Sequence, residues 1–386
     1  MLCKPLTIFA LIAFMLLNIL APSMVQANDL PDLTLLGKFL FFDPNLSSPD
    51  GQACATCHRP DYGFADPRQN QPVSQGVLKI FYGSRNAPSA AYTAYSPPLY
   101  FDPTMRPGIM EGMYIGGLFW DGRVNTLEEQ AQKPFLNLLE MHSPNQKAVV
   151  HAIRKSEYAD LFRQIFGPDA LDDVETAYQY AAQAIAAYER CGEVNPFTSK
   201  YDYYLDGAVQ LSEAEARGLA LFTGKAKCMN CHSLANPDPD AFPGIKPLFT
   251  NFGYQNVGAP KNPDNPYYGI PRGFNPEGKN YVDLGLGAVL GDPKQNGKFK
   301  IPSLRNSAVT PPYEHNGVFK TLREVVMFNN TRDVAGANWP PPEVPENVHR
   351  HMPPMPGTFG QLGLTDQEVD DIVAFLQTLT DGYQPQ

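Results

Sequence analysis

The chain has 386 residues, 43% of them hydrophobic and 11% aromatic, with a formal net charge of -10. That length carries two compact domains, and the composition excludes a disordered or low-complexity chain. The acidic balance argues against nucleic acid as a partner and suits a basic electron-transfer protein instead.

Residues 1–27 read as a secretory signal: Lys4, an apolar run from Pro5 to about Leu20, then Val25-Gln26-Ala27 as a small-residue cleavage site. The run is too short for a membrane span, so no stable membrane insertion is expected after cleavage; an uncleaved anchor is the alternative. Cleavage removes one lysine and no acid, leaving 29 basic and 40 acidic residues and a charge near -11. Leu36 to Ser47 is a short amphipathic start. From Arg59 to Met113 the chain is rich in Gly, Pro, Tyr and Ser, which predicts ordered loop of the kind that lines a site. Helices are predicted from about Thr126, over Asn145–Phe166 and over Asp172–Arg190. The pattern breaks at Gly192–Phe197, dividing the mature chain into residues 28–191 and 192–386.

In the second half, Ser212-x-x-Glu215 is a capping box for a helix running to about Phe222. Ala235 to Gly297 is again loop, and Thr321–Asn329 is helical. Residues 330–363 form a Pro-rich insertion with Trp339, His349, His351, Met352 and Met355. Thr365-x-x-Glu368 caps a last helix with an apolar stripe of Val369, Ile372, Val373, Leu376 and Leu379. Strands are scarce, so the fold class is mainly α with long irregular loops.

Two stretches carry chemistry: Cys54-Ala55-Thr56-Cys57-His58 and Cys228-Met229-Asn230-Cys231-His232. A lone C-x-x-C suits zinc or a dithiol redox pair. With histidine next in both, the pattern is that of covalent haem attachment: two thioethers hold the porphyrin and the histidine binds iron. Two haem c groups on two cytochrome c-like units are therefore expected. Export agrees, because c-type attachment in bacteria takes place outside the cytoplasmic membrane. Cys3 leaves with the signal, and Cys191 remains as an odd thiol expected to be buried.

The motifs together resemble the bacterial di-haem cytochrome c peroxidase and MauG family. They are LGKFLFFDPNLS from Leu36, both haem motifs, Gly63-Phe64-Ala65-Asp66, Arg85-Asn86-Ala87-Pro88, Phe119-Trp120-Asp121-Gly122-Arg123, Leu304-Arg305-Asn306 and Pro312-Tyr313-x-His315-x-Gly317. The resemblance implies that the N-terminal haem reacts with hydrogen peroxide and the C-terminal haem relays electrons to it. It makes Trp120 an electron bridge between the haems, where the residue alone would equally be core packing. It places Gln130, Pro134 and Glu140 in the distal pocket, with Glu140 as proton acceptor and donor and Gln130 as orienting amide. It also implies a calcium ion held by Asn86, Thr310 and Pro312, where hard oxygen ligands suit that cation.

The sequence departs from the family at three positions. Leu78 stands where many members carry a histidine that blocks the peroxidatic iron, so that iron is expected to be open at rest. The distal ligand of the second haem, a methionine in most peroxidases and a tyrosine in the MauG branch, counts from Leu322 to Asn329. Asparagine is a poor ligand for haem iron, which leaves Met327, His349, His351, Met352 and Met355 as candidates. Ala226 stands where the MauG branch has the tryptophan through which electrons leave a protein substrate.

Three functions compete. The first is a periplasmic peroxidase taking electrons from a small donor protein. The second is a MauG-like oxidase that modifies residues on a partner protein. The third is a plain electron carrier, disfavoured because a carrier gains nothing from Gln130 and Glu140.

Overall fold

The computed structural model describes residues 30–104, 112–350 and 355–385; the expected signal at 1–27, and also His351 and Met352, lie outside them. Eleven α-helices are formed by the described residues. In the first half they are α1 (Leu30–Phe42), α2 (Cys54–Cys57), α3 (Leu127–Leu136), α4 (Gln146–Lys155), α5 (Ala159–Phe166) and α6 (Val174–Glu189). Then follow α7 (Lys200–Leu205), α8 (Glu213–Thr223), α9 (Leu286–Leu290), α10 (Leu322–Thr331) and α11 (Asp366–Gln377). Two small antiparallel sheets pair β1 (Tyr100–Asp102) with β2 (Met113–Ile115) and β3 (Tyr254–Gln255) with β4 (Phe299–Lys300). The fold is mainly helical, as the sequence predicts.

Each half is organised by one helix crossing of the same construction. α1 buries Leu33, Leu36, Leu40 and Phe41, a stripe at helical spacing, against the alanine-rich face of α6. Gly37 sits at the contact, where an added Cβ would lie 1.9 Å from the Ala184 carbonyl oxygen and 3.0 Å from Tyr188 Cβ. α8 crosses α11 in the same way: a Cβ on Gly218 would lie 1.9 Å from the Asp371 carbonyl oxygen and 2.8 Å from Phe375 Cβ. In both crossings a glycine meets a backbone carbonyl and, four residues on, an aromatic residue. Around the second crossing Tyr201, Phe222, Phe249 and Phe375 pack with ring centroids 5.3–6.0 Å apart.

Local signals set the helix ends. Thr126, Asn145 and Asp173 cap α3, α4 and α6 through side-chain oxygens. Ser212, Thr321 and Thr365 form capping boxes with Glu215, Glu324 and Glu368. The single helix predicted over Asn145–Phe166 is two helices. Ser156 turns extended after α4 and its hydroxyl donates to the Ile153 carbonyl, competing with the helical ladder. α7 and α9 form where no helix is predicted. Among the described residues no helix is long and apolar enough to cross a membrane.

Candidate functional site

Both C-x-x-C-H stretches fold into one turn whose histidine is fixed in the same way. The His58 backbone N–H donates to the Cys54 carbonyl, and its ring Nδ1 lies 3.1 Å from the Phe64 carbonyl. The His232 N–H donates to the Cys228 carbonyl, and its Nδ1 lies 3.0 Å from the Phe249 carbonyl. Phe64 and Phe249 both adopt left-handed backbone (φ 57 and 55), so the same turn presents the carbonyl in each half. A ring whose Nδ1 faces a carbonyl carries its proton there and leaves Nε2 as the lone-pair donor for a metal. Burial pushes both imidazoles below their ordinary pKa, His232 to about 4, which keeps them neutral.

The four thiols fit thioether attachment better than zinc or dithiol chemistry. Burial pushes Cys54 strongly upward, Cys57 and Cys231 to about 11 and Cys228 to about 12. Among the described residues none of the four forms a disulfide. Each thiol pair is followed at once by a histidine whose Nδ1 is turned to a carbonyl and whose Nε2 is left as a donor, the arrangement of covalent haem attachment. Cys228, Cys231 and His232 also line a cavity of about 320 Å³ whose walls include Phe222, Phe252, Leu322 and Ile372. Apolar walls, two protonated thiols and a neutral imidazole are the donor set a covalent haem uses. Cys191, expected to be buried, is only partly so, packed against the first core.

The structure brings Glu140 to the first motif. Its charge acts on the Cys54 thiol, and Arg123 acts in turn on Glu140. Burial raises the Glu140 pKa above the usual glutamate value, opposed by Arg123 and by the Asn137 amide, which donates to Oε1 at 2.6 Å. A loop at 74–83 lies over it, with the Val77 N–H donating to the Glu140 carbonyl at 2.9 Å. Gly76 allows this approach, because a Cβ there would sit 2.3 Å from the Leu139 carbonyl oxygen. Gln130 and Pro134 lie on α3; Pro134 has no N–H to offer the Gln130 carbonyl one turn earlier. Leu78 stands at the turn of the overlying loop, its carbonyl accepting from the Phe81 N–H.

Trp120, Asn86, Thr310 and Pro312 share the walls of the cavity that holds Cys228, Cys231 and His232. Trp120 Nε1 donates to the Asn86 carbonyl, and the Trp120 carbonyl accepts from the Lys300 N–H on β4. The Asn86 side-chain Nδ2 donates to the Pro72 carbonyl at 3.2 Å, which leaves Oδ1 as an acceptor. Two residues on, the Pro88 backbone bonds the His58 ring, so the segment Asn86–Pro88 touches both halves of the site.

A family model described as di-haem cytochrome c peroxidase matches residues 31–210. The chain is 40% identical over 380 residues to the methylamine utilization protein MauG of Paracoccus denitrificans, covering 93% of this chain and 92% of the relative. It is 30% identical to the cytochrome c551 peroxidase of Nitrosomonas europaea, covering 92% and 81%. The crystal structure of the diheme peroxidase BthA from Burkholderia thailandensis superposes with a TM-score of 0.76 at 34% identity, covering 91% and 86%. The chain belongs to the di-haem cytochrome c peroxidase and MauG family. It is accordingly a haem-dependent oxidoreductase.

Within this di-haem fold the candidate distal groups of the second site separate clearly. Asn329 lines the cavity, and its Oδ1 is buried with no hydrogen-bond partner among the described residues. His349 lines the same cavity; burial and the Arg332 guanidinium push its pKa down. Met327 packs against the second core instead, and Met355 is 48% exposed. Ala226 is buried in that core beneath the haem motif.

Several residues in or beside the cavity escaped sequence reasoning. Arg85 is clamped between Asp121 and Asp283, each at 2.6 Å. Lys300 is buried with its amine on the Gly117 carbonyl, and burial lowers its pKa to about 7. His315 stacks on Phe299 at 3.6 Å, its ring nitrogens without hydrogen bonds among the described residues and Nε2 3.6 Å from Glu343. The motifs around Arg85 and His315 were visible, but nothing in the sequence showed that they meet. Lys300 carried no signal at all.

Proposed function

We propose that this protein is an exported, periplasmic peroxidase that reduces hydrogen peroxide to water at the haem of Cys54, Cys57 and His58. Electrons enter through the haem of Cys228, Cys231 and His232, from a small donor protein. On this reading residues 1–27 are removed on export, residues 28–191 hold the peroxidatic haem and residues 192–386 the electron-transfer haem. The observation that carries it is Glu140, a buried carboxyl with a raised pKa placed beside the first haem motif.

When bound, the first haem supplies an iron site for peroxide and electrons for reduction of the O–O bond. The chain supplies the proton handling. Cleavage is easier when the proton on the inner peroxide oxygen moves to the outer one, and Glu140 can accept and return it. Gln130 orients peroxide or water through its amide, and Pro134 leaves the Gln130 carbonyl without a helical partner. Each turnover consumes two electrons and two protons and yields two waters. Trp120 lies on the electron route between the sites, and a calcium ion at Asn86, Thr310 and Pro312 stiffens the segment that joins them.

MauG-like oxidation of a partner protein is the second reading, favoured by the extent of similarity to the Paracoccus protein and by Leu78. Ala226, buried in the core, offers no aromatic exit at that position. One comparison tests both: peroxide turnover with a reduced small c-type cytochrome, beside peroxide-dependent mass changes on proteins from the native periplasm. Sustained turnover supports the peroxidase. Absent turnover with a protein mass change transfers the assignment to the second reading.

A further inference from the structure

We propose that His349 is the distal ligand of the iron held by His232, so that the C-terminal haem is ligated by two histidines. The inference rests on haem attachment at Cys228 and Cys231, and on nothing else in the proposed function. Asn329, which the family pattern places at this position, presents only an amide. Amide oxygen is a weak ligand for haem iron, which favours imidazole and sulfur. Its buried Oδ1 has no hydrogen-bond partner among the described residues.

His349 lines the same cavity, carried there by the 330–363 insertion, and its backbone is fixed on both sides. The His349 N–H donates to the Asn256 carbonyl at 2.7 Å, and Arg332 Nη2 donates to the His349 carbonyl at 2.8 Å. Arg332 is itself anchored on the Val257 carbonyl at 2.6 Å and on Asp333. Asn256 Nδ2 holds the Val344 and Glu346 carbonyls at 3.0 and 2.8 Å, so residues 344–349 are stapled to the end of β3. Phe359 packs on the ring at 5.5 Å. Neither ring nitrogen has a hydrogen-bond partner among the described residues. An imidazole held this firmly, in an apolar wall and with its nitrogens unspent, is built to bind something in the cavity. Of the sulfurs described in this region, Met327 is spent on the core and Met355 is exposed.

The test uses the full mature protein carrying both haems. Wild-type ferric protein should show the electron paramagnetic resonance and near-infrared dichroism of a bis-histidine low-spin haem. His349→Ala should convert that species to high spin with the haem mass unchanged, and imidazole should restore it in His349→Gly. His349→Met should stay low-spin, gain a sulfur-to-iron charge-transfer band and raise the midpoint potential, because methionine ligation favours the reduced state. A low-spin species that persists in His349→Ala at two haems per chain overturns the ligand alone. A single-haem wild-type mass overturns it together with the two-haem reading. Should the variants not retain haem, the wild-type dichroism still decides: a methionine band, or no low-spin haem, refutes the proposal.

Discussion

Trp120 donates its indole N–H to the backbone carbonyl of Asn86 at 2.8 Å, on the wall of the cavity that holds the second haem motif. The Asn86 N–H donates to the His315 carbonyl at 2.7 Å, and Pro88, two residues on, bonds the His58 ring. The indole therefore stands on a short covalent and hydrogen-bonded path from one motif histidine to the other cavity. Trp120→Phe should keep most of the packing while losing the N–H. The expected outcome is two attached haems with slower electron transfer between them, read by stopped-flow absorbance after reduction of the second haem. Unchanged transfer would return Trp120 to a packing role.

The same segment carries the calcium prediction. With Nδ2 occupied by the Pro72 carbonyl, Asn86 Oδ1 is the atom left for a hard cation, and Thr310 and Pro312 line the same cavity. Protein purified without chelator should contain calcium, and prolonged EGTA dialysis should remove it and slow transfer between the haems. Asn86→Ala should bind calcium less tightly. Metal analysis showing no calcium in either protein rejects the site.

The two glycines at the helix crossings predict stability rather than activity. A Cβ at Gly218 would overlap the Asp371 carbonyl oxygen at 1.9 Å, and only separation of α8 from α11 relieves it. Overpacking of this kind costs about 1–3 kcal/mol, and a contact with rigid backbone lies toward the upper end. Gly218→Ala, and Gly37→Ala at the other crossing, should each lower the melting temperature by several degrees. A melting curve that does not move would mean that the crossings have slack.

What the sequence made legible follows from where the information is local. Capping boxes, the Cys-x-x-Cys-His turns and the apolar stripe of α11 are set by neighbours within four residues, and the structure has them at Ser212, His58 and Val369. The Asn145–Phe166 break was hidden because a serine hydroxyl decides it, while the apolar pattern runs on. The clamp of Arg85 by Asp121 and Asp283 joins residues 36 and 198 apart, and no local signal carries such a meeting. The choice between Asn329 and His349 was closed to sequence for the same reason: an insertion has no register until its backbone is anchored on Asn256 and Arg332.

Leu78 leads to a prediction about the resting enzyme. The loop at 74–83 closes on itself through Gly83 to Ser74 and Gly76 to Phe81 bonds of 3.0 and 2.9 Å, and it carries no histidine. Fully oxidised protein should contain a high-spin ferric haem and consume peroxide without prior reduction. Only low-spin ferric signals, with no reaction until an electron is added, would refute it.

Glu140 decides whether the enzyme works as proposed. Its carboxyl is buried, near the first haem motif, and hydrogen-bonded by Asn137. Moving a proton between the peroxide oxygens needs the carboxylate, so the peroxide step should speed up as pH rises through the Glu140 pKa. Burial lifts that pKa above the ordinary glutamate value, which moves the acidic limb of the profile upward. The sign for stability is opposite. A raised pKa means that the folded state holds the proton more tightly, so this group's contribution is lost as pH rises through the folded pKa. Glu140→Gln keeps the size and can still meet Asn137, so haem content and resting spectra should be unchanged. The peroxide step should slow by roughly 10²–10⁴-fold and lose its acidic limb. Gln130→Leu should cost less, because water can replace one orienting amide. A Glu140→Gln enzyme that reacts at the normal rate with both haems intact would remove Glu140 from the proton path.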